Sequence, residues 1–214
     1  MTVLSRTVLR EQVKELLLGR ILDGTYAPGD RLVETRIAQE LGTSQAPVRE
    51  ALRELELLRF VESKAYVGAR VREVSEEELG EIYPVRAAIE EVAAREAAVH
   101  LDGGVEELAA ELEAMRSAAA AGDLHAQVEA DVRFHRLIVE ASGNRTLFEV
   151  WSSLRVEART VITVLATGVD RHELAEMHLP ILEALAAGDP AEAGRTVREH
   201  VEHFGRLLKV GRRA

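Results

Sequence analysis

Four residues in the second half of the chain have the side chains and spacing of a metal site: Asp131, His135, His178 and His200. Each interrupts an otherwise apolar helical stripe, so each is predicted to point toward a core. Buried polar groups are costly, and imidazole nitrogens with a carboxylate oxygen suit a borderline divalent metal. One inward histidine alone would be better explained as a hydrogen-bonded core residue. All four together favour a metal, with zinc first and nickel or manganese open.

The expected helices would bring these side chains together. His178 lies eleven residues before Asp189 and His200 eleven residues after it, so a helical hairpin turning at Gly188–Pro190 would place the two rings at the same height. Asp131 and His135 are four residues apart, on one face of their helix. Periodicity and turn residues predict six helices here, at 78–100, 104–121, 123–142, 145–166, 171–187 and 190–209.

Arg86 is another polar residue on an apolar stripe, and its guanidinium is expected to face an anion. That anion is either an internal carboxylate or the carboxylate of a bound ligand. Arg155 and Arg159 are weaker candidates for the same role, with plain solvation as the alternative. Asn144 precedes a helix, so N-capping is its expected role and ligand contact the alternative.

A stretch in the first half, Thr43 to Leu55, is predicted to be a DNA recognition helix with Ser44 as its N-cap. Apolar residues recur at three- and four-residue steps from Val48 to Leu58 and define a buried stripe. Polar residues project from the opposite face, at Gln45, Arg49 and Arg53. Taken alone, the stretch could equally be an ordinary amphipathic surface helix.

The segments around this helix favour DNA binding. Helices are expected at 8–22, along the stripe Leu9, Val13, Leu16, Leu17 and Ile21, and at 34–41, and two short strands at 60–63 and 69–72. This order is that of a winged helix-turn-helix, in which Lys64 and Arg70 of the wing would meet phosphates. We therefore expect a mainly α protein with a DNA-binding domain at 1–74 and an antiparallel helical bundle at 75–214.

Composition agrees with this division. The net charge of −10 is concentrated in the second half, since residues 1–74 carry 12 basic and 11 acidic residues and residues 75–214 carry 15 and 26. The chain has no cysteine, which excludes disulfides and thiolate metal sites. We expect neither a signal peptide nor a membrane-spanning segment, because charged residues interrupt the N-terminal stretch and the apolar runs are short. We expect a soluble bacterial protein of the cytoplasm, with no membrane partner.

Several of these segments closely resemble the GntR family of bacterial transcription regulators, namely Pro28–Leu32, Glu34–Leu41, Ala46–Leu52 and the wing residue Gly68. The second half resembles the FCD ligand-binding domain of the FadR subfamily, whose Asp-x3-His pair and two later histidines match the four residues named first. With about six helices, it is most similar to the shorter VanR type.

The resemblance implies a homodimer that binds a pseudo-palindromic operator, usually as a repressor. It also implies a small organic acid in the bundle, with its carboxylate on the metal and Arg86 lining the pocket. The expected DNA contacts are Arg36, Ser44, Gln45, Arg49, Arg53, Lys64, Tyr66 and Gly68. Gln45 stands where the family usually has arginine, which favours adenine over guanine in the operator.

Three other functions stay open at this point. A metalloenzyme could use an open metal position to activate water, although no general base is evident and residues 8–72 would have no role. The metal could be purely structural, with signalling from elsewhere. The ion itself could also be the signal that releases DNA.

Overall fold

We describe a computed structural model of the chain, which covers residues 6–22, 24–64, 68–73, 76–154, 156, 160 and 169–210. The chain divides into two compact units, residues 1–73 and 74–214. Each unit buries its own set of apolar side chains and is described by itself.

The first unit combines helices with a small antiparallel sheet. Its elements are α1 (Arg6–Leu22), β1 (Arg31–Leu32), α2 (Glu34–Glu40), α3 (Gln45–Leu57), β2 (Val61–Lys64) and β3 (Gly68–Val71). The predicted apolar stripe of α3 is confirmed, since Val48, Ala51, Leu52 and Leu55 are buried. In α1 the prediction is wrong for Leu16, which is 39% exposed while Leu18 is buried. A run of three leucines, 16–18, does not fix which flank of the helix faces inward.

The sheet has the strand order β1-β3-β2. The hairpin of β2 and β3 was expected, and each strand lies one residue from its predicted position. The third strand, β1, was not predicted because two residues carry no alternation of polar and apolar positions. It pairs with β3 through Arg31 opposite Arg70 and Leu32 opposite Ala69. This is the helix, helix, helix and hairpin arrangement of a winged helix-turn-helix.

The described part of the second unit is helical. Its helices are α4 (Glu76–Leu101), α5 (Glu106–Ala121), α6 (Leu124–Ala141), α7 (Arg145–Ser153), α8 (Arg171–Glu176), α9 (Leu179–Ala186) and α10 (Pro190–Val210). The mainly α fold class is thereby confirmed. α4 packs along α10, and α6 packs against both α4 and α5.

One predicted helix, 171–187, is broken in the structure. α8 ends at Glu176, Met177 is its C-cap, and His178 is the N-cap of α9. The reason is Pro180, which has no N–H to donate to Glu176 and whose ring would clash with that carbonyl in a continuous helix. The break lies at one of the predicted metal ligands.

The helix predicted for 145–166 is interrupted, because α7 stops at Ser153 and Val156 and Thr160 are again helical. The Ser153 hydroxyl donates to the Val150 carbonyl over 2.6 Å, and the Leu154 N–H turns to Trp151 instead. A serine that bonds back to its own helix competes with the regular backbone ladder. Arg155 and Arg159, predicted as weaker ligand contacts, lie outside the described residues.

Two glycines of α10 let it approach α4 closely. A Cβ atom at Gly205 would lie 3.0 Å from Cβ of Tyr83, and one at Gly194 would lie 2.6 Å from Cγ of Arg95. This close contact carries His200 of α10 to the centre of the bundle, where α6 also faces.

Candidate metal centre and nucleic-acid interface

Three separate elements bring the predicted histidines together. His135 comes from α6, His178 from the junction of α8 and α9, and His200 from α10. The ring centroids of His178 and His200 lie 4.5 Å apart, and those of His135 lie 5.4 Å and 5.2 Å from them. One nitrogen from each ring lies within 4.8 Å of one nitrogen from each of the other two. The hairpin argument for His178 and His200 therefore predicted their proximity correctly, despite the broken helix.

Asp131 joins this cluster from one turn earlier on α6. Its Oδ1 lies 3.1 Å from Nε2 of His178, close enough for a charge contact but without the alignment of a hydrogen bond. All four side chains are buried, and none is more than 7% exposed. We call Asp131, His135, His178 and His200 the ligand cluster.

Each member of the ligand cluster has a buried polar atom without a hydrogen-bond partner among the described residues. These atoms are Asp131 Oδ2, His135 Nε2, His178 Nε2 and His200 Nδ1. A buried polar group without a hydrogen bond costs about 1–3 kcal/mol, so four such groups side by side would be strongly destabilising. A divalent ion among the three rings would satisfy the imidazole nitrogens, and three imidazoles suit zinc. The predicted fourth ligand, Asp131, contacts His178 but lies outside the set of ligand atoms that are within 4.8 Å of one another. The residues present therefore fit a metal.

The electrostatics of the ligand cluster favour its metal-binding forms. Burial would raise the pKa of the Asp131 carboxyl, but the close contact with His178 and the charges of His135 and Arg86 lower it overall. Burial lowers the pKa of His200 well below its usual value, and His178, His135 and Arg86 add to this effect. An ionised carboxylate and a neutral imidazole are the forms that bind metals.

A second layer of buried polar groups surrounds His135. Arg86 points inward, as predicted, and its Nε donates to Oε1 of Glu90 over 2.6 Å. The same oxygen accepts from the indole nitrogen of Trp151 over 2.7 Å, and Oε2 contacts Nδ1 of His135 over 2.6 Å. Of the two anions proposed for Arg86, the described residues supply the internal one. Glu90 and Trp151 were not predicted, although Glu90 lies one helical turn after Arg86.

A small cavity borders the ligand cluster. Its volume is about 10 Å³, which is room for roughly one water molecule. It is lined by Tyr83, Arg86, Asp131, Thr160, Leu174, His200 and Phe204. Two cluster members and the buried arginine therefore line one small cavity.

The exposed face of α3 has the features of a nucleic-acid interface. Ser44 is the N-cap by backbone conformation, but its hydroxyl makes no capping bond. Ser44, Gln45, Arg49 and Arg53 are all exposed, opposite the buried stripe. Arg49 Nη2 donates to Oε2 of Glu34 over 2.8 Å and Nε donates over 3.0 Å, which fixes the guanidinium beside α2. Such a row of polar groups at a helix N-terminus can contact base edges and phosphates.

Comparison with known protein families identifies the two units. Residues 9–71 match the model for bacterial regulatory proteins of the gntR family, and residues 81–203 match the FCD domain. The chain belongs to the GntR family. The resemblance inferred from the sequence is thereby confirmed for both halves.

Relatives of this GntR protein are regulators as well. The "Probable D-xylose utilization operon transcriptional repressor" of Paenarthrobacter nicotinovorans is 39% identical over 201 residues, covering 94% of this chain and 89% of that one. The "Gluconate operon transcriptional repressor" of Bacillus licheniformis is 30% identical over 173 residues, covering 79% and 71%. The crystal structure of a GntR transcriptional regulator from Rhodococcus sp. RHA1 has a TM-score of 0.73 at 26% identity, covering 94% and 98%.

This GntR protein is therefore a DNA-binding transcriptional regulator. Its family and named relatives are regulators rather than enzymes, which removes the metalloenzyme alternative. Among the described residues, no helix combines the length and the apolar character needed to cross a membrane.

The remaining predicted DNA contacts have mixed outcomes. Arg36 is exposed on α2. Gly68 opens β3 with φ of +90°, a conformation that favours glycine and suits the tip of a wing. Tyr66 lies outside the described residues, and Lys64 is described only by its backbone at the end of β2. Arg70 of the wing is half-buried and donates to the Gly29 carbonyl over 3.3 Å.

Asn144 has the capping role expected for it. It is the N-cap of α7, and its side-chain oxygen accepts from the Leu147 N–H over 3.1 Å. That bond uses the side-chain oxygen and leaves the amide NH₂ group. Ligand contact by Asn144 stays a prediction.

Proposed function

We propose that this GntR protein is a homodimeric repressor whose FCD domain holds a divalent metal, zinc first, and on it a small carboxylate effector. Effector binding would change the dimer's affinity for a pseudo-palindromic operator, and the coupling would be reciprocal. The observation that carries the proposal is the ligand cluster, with four unpartnered buried donor atoms from three elements.

The metal would be held by Asp131, His135, His178 and His200. When bound, it would offer a Lewis-acidic position to an oxygen ligand. The protein's own contribution is a buried set of donor atoms, the Asp131 carboxylate and three imidazole rings.

The effector class follows from what surrounds the cavity. Arg86 is already paired with Glu90, so an incoming carboxylate would find its main cationic partner in the metal. The cavity of about 10 Å³ has room for little more than a water molecule, so its aromatic lining, Tyr83 and Phe204, would have to move for any organic acid. The names of the two relatives point to sugars and sugar acids, with gluconate as the acidic member.

The first experiment measures metal content in the purified full chain. We expect about one zinc per chain in the wild type and its loss in Asp131→Ala and His178→Ala, with helical content retained. His172→Ala is the matched control, since that histidine is exposed on α8. Unchanged metal in His178→Ala, or no metal in the wild type, would contradict the metal part of the proposal.

Thermal shift then tests the effector with gluconate and D-xylose as probes, before and after chelation. We expect gluconate to raise the Tm only in the zinc-loaded protein. Stabilisation by D-xylose with or without zinc would show that the effector is a neutral sugar rather than a carboxylate. If chelation lowers the Tm and neither probe responds to zinc, the metal is structural. Release of selected operator DNA by zinc alone, without any acid, would make the ion itself the signal.

A stripe on α4 supports the homodimer. Three valines with side chains 47%, 45% and 61% exposed recur every seven residues, at Val85, Val92 and Val99. Seven-residue spacing keeps apolar side chains on one seam between paired helices.

Sedimentation velocity tests this surface. Val92→Glu should shift the wild-type dimer toward monomer, because a charge would be buried at the seam. Val150→Glu on α7, where the valine is 43% exposed, is the matched control and should leave the dimer intact. A monomeric wild type would contradict the dimer. If the Val92→Glu variant is still a dimer, the interface lies on another surface.

Operator contact is tested at Arg49. With the binding site selected from random DNA, Arg49→Ala should weaken binding by about 1–3 kcal/mol and relax the preference at one base pair. Arg133→Ala is the control, since Arg133 has a similar exposed pair with Glu111 in the second unit. Equal DNA affinity in the wild type and Arg49→Ala would remove Arg49 from the contacts.

A further inference from the structure

Glu90 is a buried carboxylate with an unusual set of neighbours. It is only 1% exposed, and both of its oxygens are occupied. Oε1 accepts from Arg86 Nε over 2.6 Å and from Trp151 Nε1 over 2.7 Å, while Oε2 lies 2.6 Å from His135 Nδ1. Three helices, α4, α6 and α7, therefore contribute polar groups to one side chain.

These contacts determine whether the Glu90 carboxyl is ionised. The Arg86 guanidinium, which stays charged, and the Trp151 N–H both donate to Oε1, and such donors favour an ionised carboxylate. An ionised carboxylate only accepts hydrogen bonds, so the proton between Oε2 and the ring belongs to Nδ1 of His135. The other ring nitrogen, Nε2, has no partner among the described residues, so it is the one left to serve the ligand cluster.

We infer that Glu90 is a positioning residue that fixes His135 with its proton on Nδ1 and its lone pair on Nε2, facing the ligand cluster. Arg86 and Trp151 in turn hold Glu90 in place. As a statement about metal binding this rests on the proposed function, whereas the position of the proton can be measured without metal. Histidine ligands are commonly oriented by such a carboxylate on the second nitrogen.

The substitution Glu90→Gln inverts the hydrogen-bond pattern with almost no change of shape. Oε1 serves two donors, Arg86 and Trp151, so the amide oxygen is expected to stay on that side. The amide NH₂ then faces Nδ1 of His135 and requires a lone pair there. The ring proton must move to Nε2, the atom that would bind the metal.

The first test uses ¹⁵N–¹H correlation of histidine rings in the metal-free full-length protein. We expect the proton of His135 on Nδ1 in the wild type and on Nε2 in Glu90→Gln. Glu91→Gln is the matched control, because Glu91 pairs with Arg95 and Arg198 away from the cluster. A wild-type His135 protonated on Nε2 overturns the inference without any variant, so it can be refuted even if Glu90→Gln does not fold.

The second test is zinc affinity, measured by competition with a chromophoric chelator. Glu90→Gln should bind zinc about 10–100-fold more weakly than the wild type, and Glu91→Gln should be unchanged. Equal affinity in Glu90→Gln overturns the positioning role. If the wild type binds no zinc, the metal part of the proposed function fails, and the ring-proton measurement alone decides the role of Glu90.

Discussion

Helix α4 carries two Arg–Glu pairs, both at four-residue spacing, that differ in burial. Arg86 and Glu90 are 6% and 1% exposed, whereas the side chains of Arg95 and Glu91 are 48% and 19% exposed. We predict that Arg86→Met is far more destabilising than Arg95→Met. Methionine keeps most of the side-chain volume, so the comparison isolates the loss of charge rather than a cavity.

The expected magnitudes follow from solvent access. Removing one partner of a buried ion pair costs about 3–5 kcal/mol, because the remaining charge has no water around it. Trp151 and His135 still contact Glu90, so the lower end of that range is expected. An exposed pair at this spacing contributes only about 0.3–0.5 kcal/mol. The difference of about 3 kcal/mol corresponds to roughly a hundredfold in the unfolding equilibrium.

Urea unfolding followed by tryptophan fluorescence measures both variants. The chain has one tryptophan, Trp151, so the signal comes from the second unit. The measurement is made with chelator present, which prevents a change in metal binding from entering the result. Equal costs for Arg86→Met and Arg95→Met would refute the view that Glu90 is a buried anion dependent on Arg86.

Three further substitutions test the packing and capping described above. Gly205→Ala should destabilise the protein by about 1–2 kcal/mol, since its Cβ would press on Cβ of buried Tyr83, and urea midpoints would show this. Gly194→Ala should be neutral or stabilising by up to about 1 kcal/mol, because the flexible Arg95 side chain can move away; an equal loss in both variants would contradict this difference. Asn144→Ala should cost about 1 kcal/mol through loss of the α7 cap, and an unchanged unfolding curve would show that the cap contributes nothing.

Periodicity was sufficient for the ligand cluster because each member interrupts a clear apolar stripe. His178 remains buried even though its helix is broken, since the stripe continues from Leu174 to Ile181 on either side of the break. The break itself could have been predicted from Pro180. The prediction used the turn at 188–190 to end the helix and did not take into account the proline inside the apolar segment.

Glu90 was not predicted because the buried and exposed faces of α4 differ little in hydrophobicity. Ile82 and Ile89, at helical spacing from Arg86, are only half-buried, while Tyr83 and Glu90 are buried. In a helix rich in alanine and glutamate, turning the helix so that the next residue faces inward changes the number of apolar residues on the inward face very little. The position of a buried charge depends on its partners from α6 and α7, and local sequence does not contain them.

The break between α8 and α9 has a consequence for how the bundle can move. α8 packs on α5 and α9 packs on α10, so the segment changes neighbours at Met177 and His178. Helices of six and eight residues are too short to persist without such support. A small change in the angle between them would displace the His178 ring relative to His135 and His200 while every helix stays straight. A change of angle at this junction would therefore act directly on the ligand cluster.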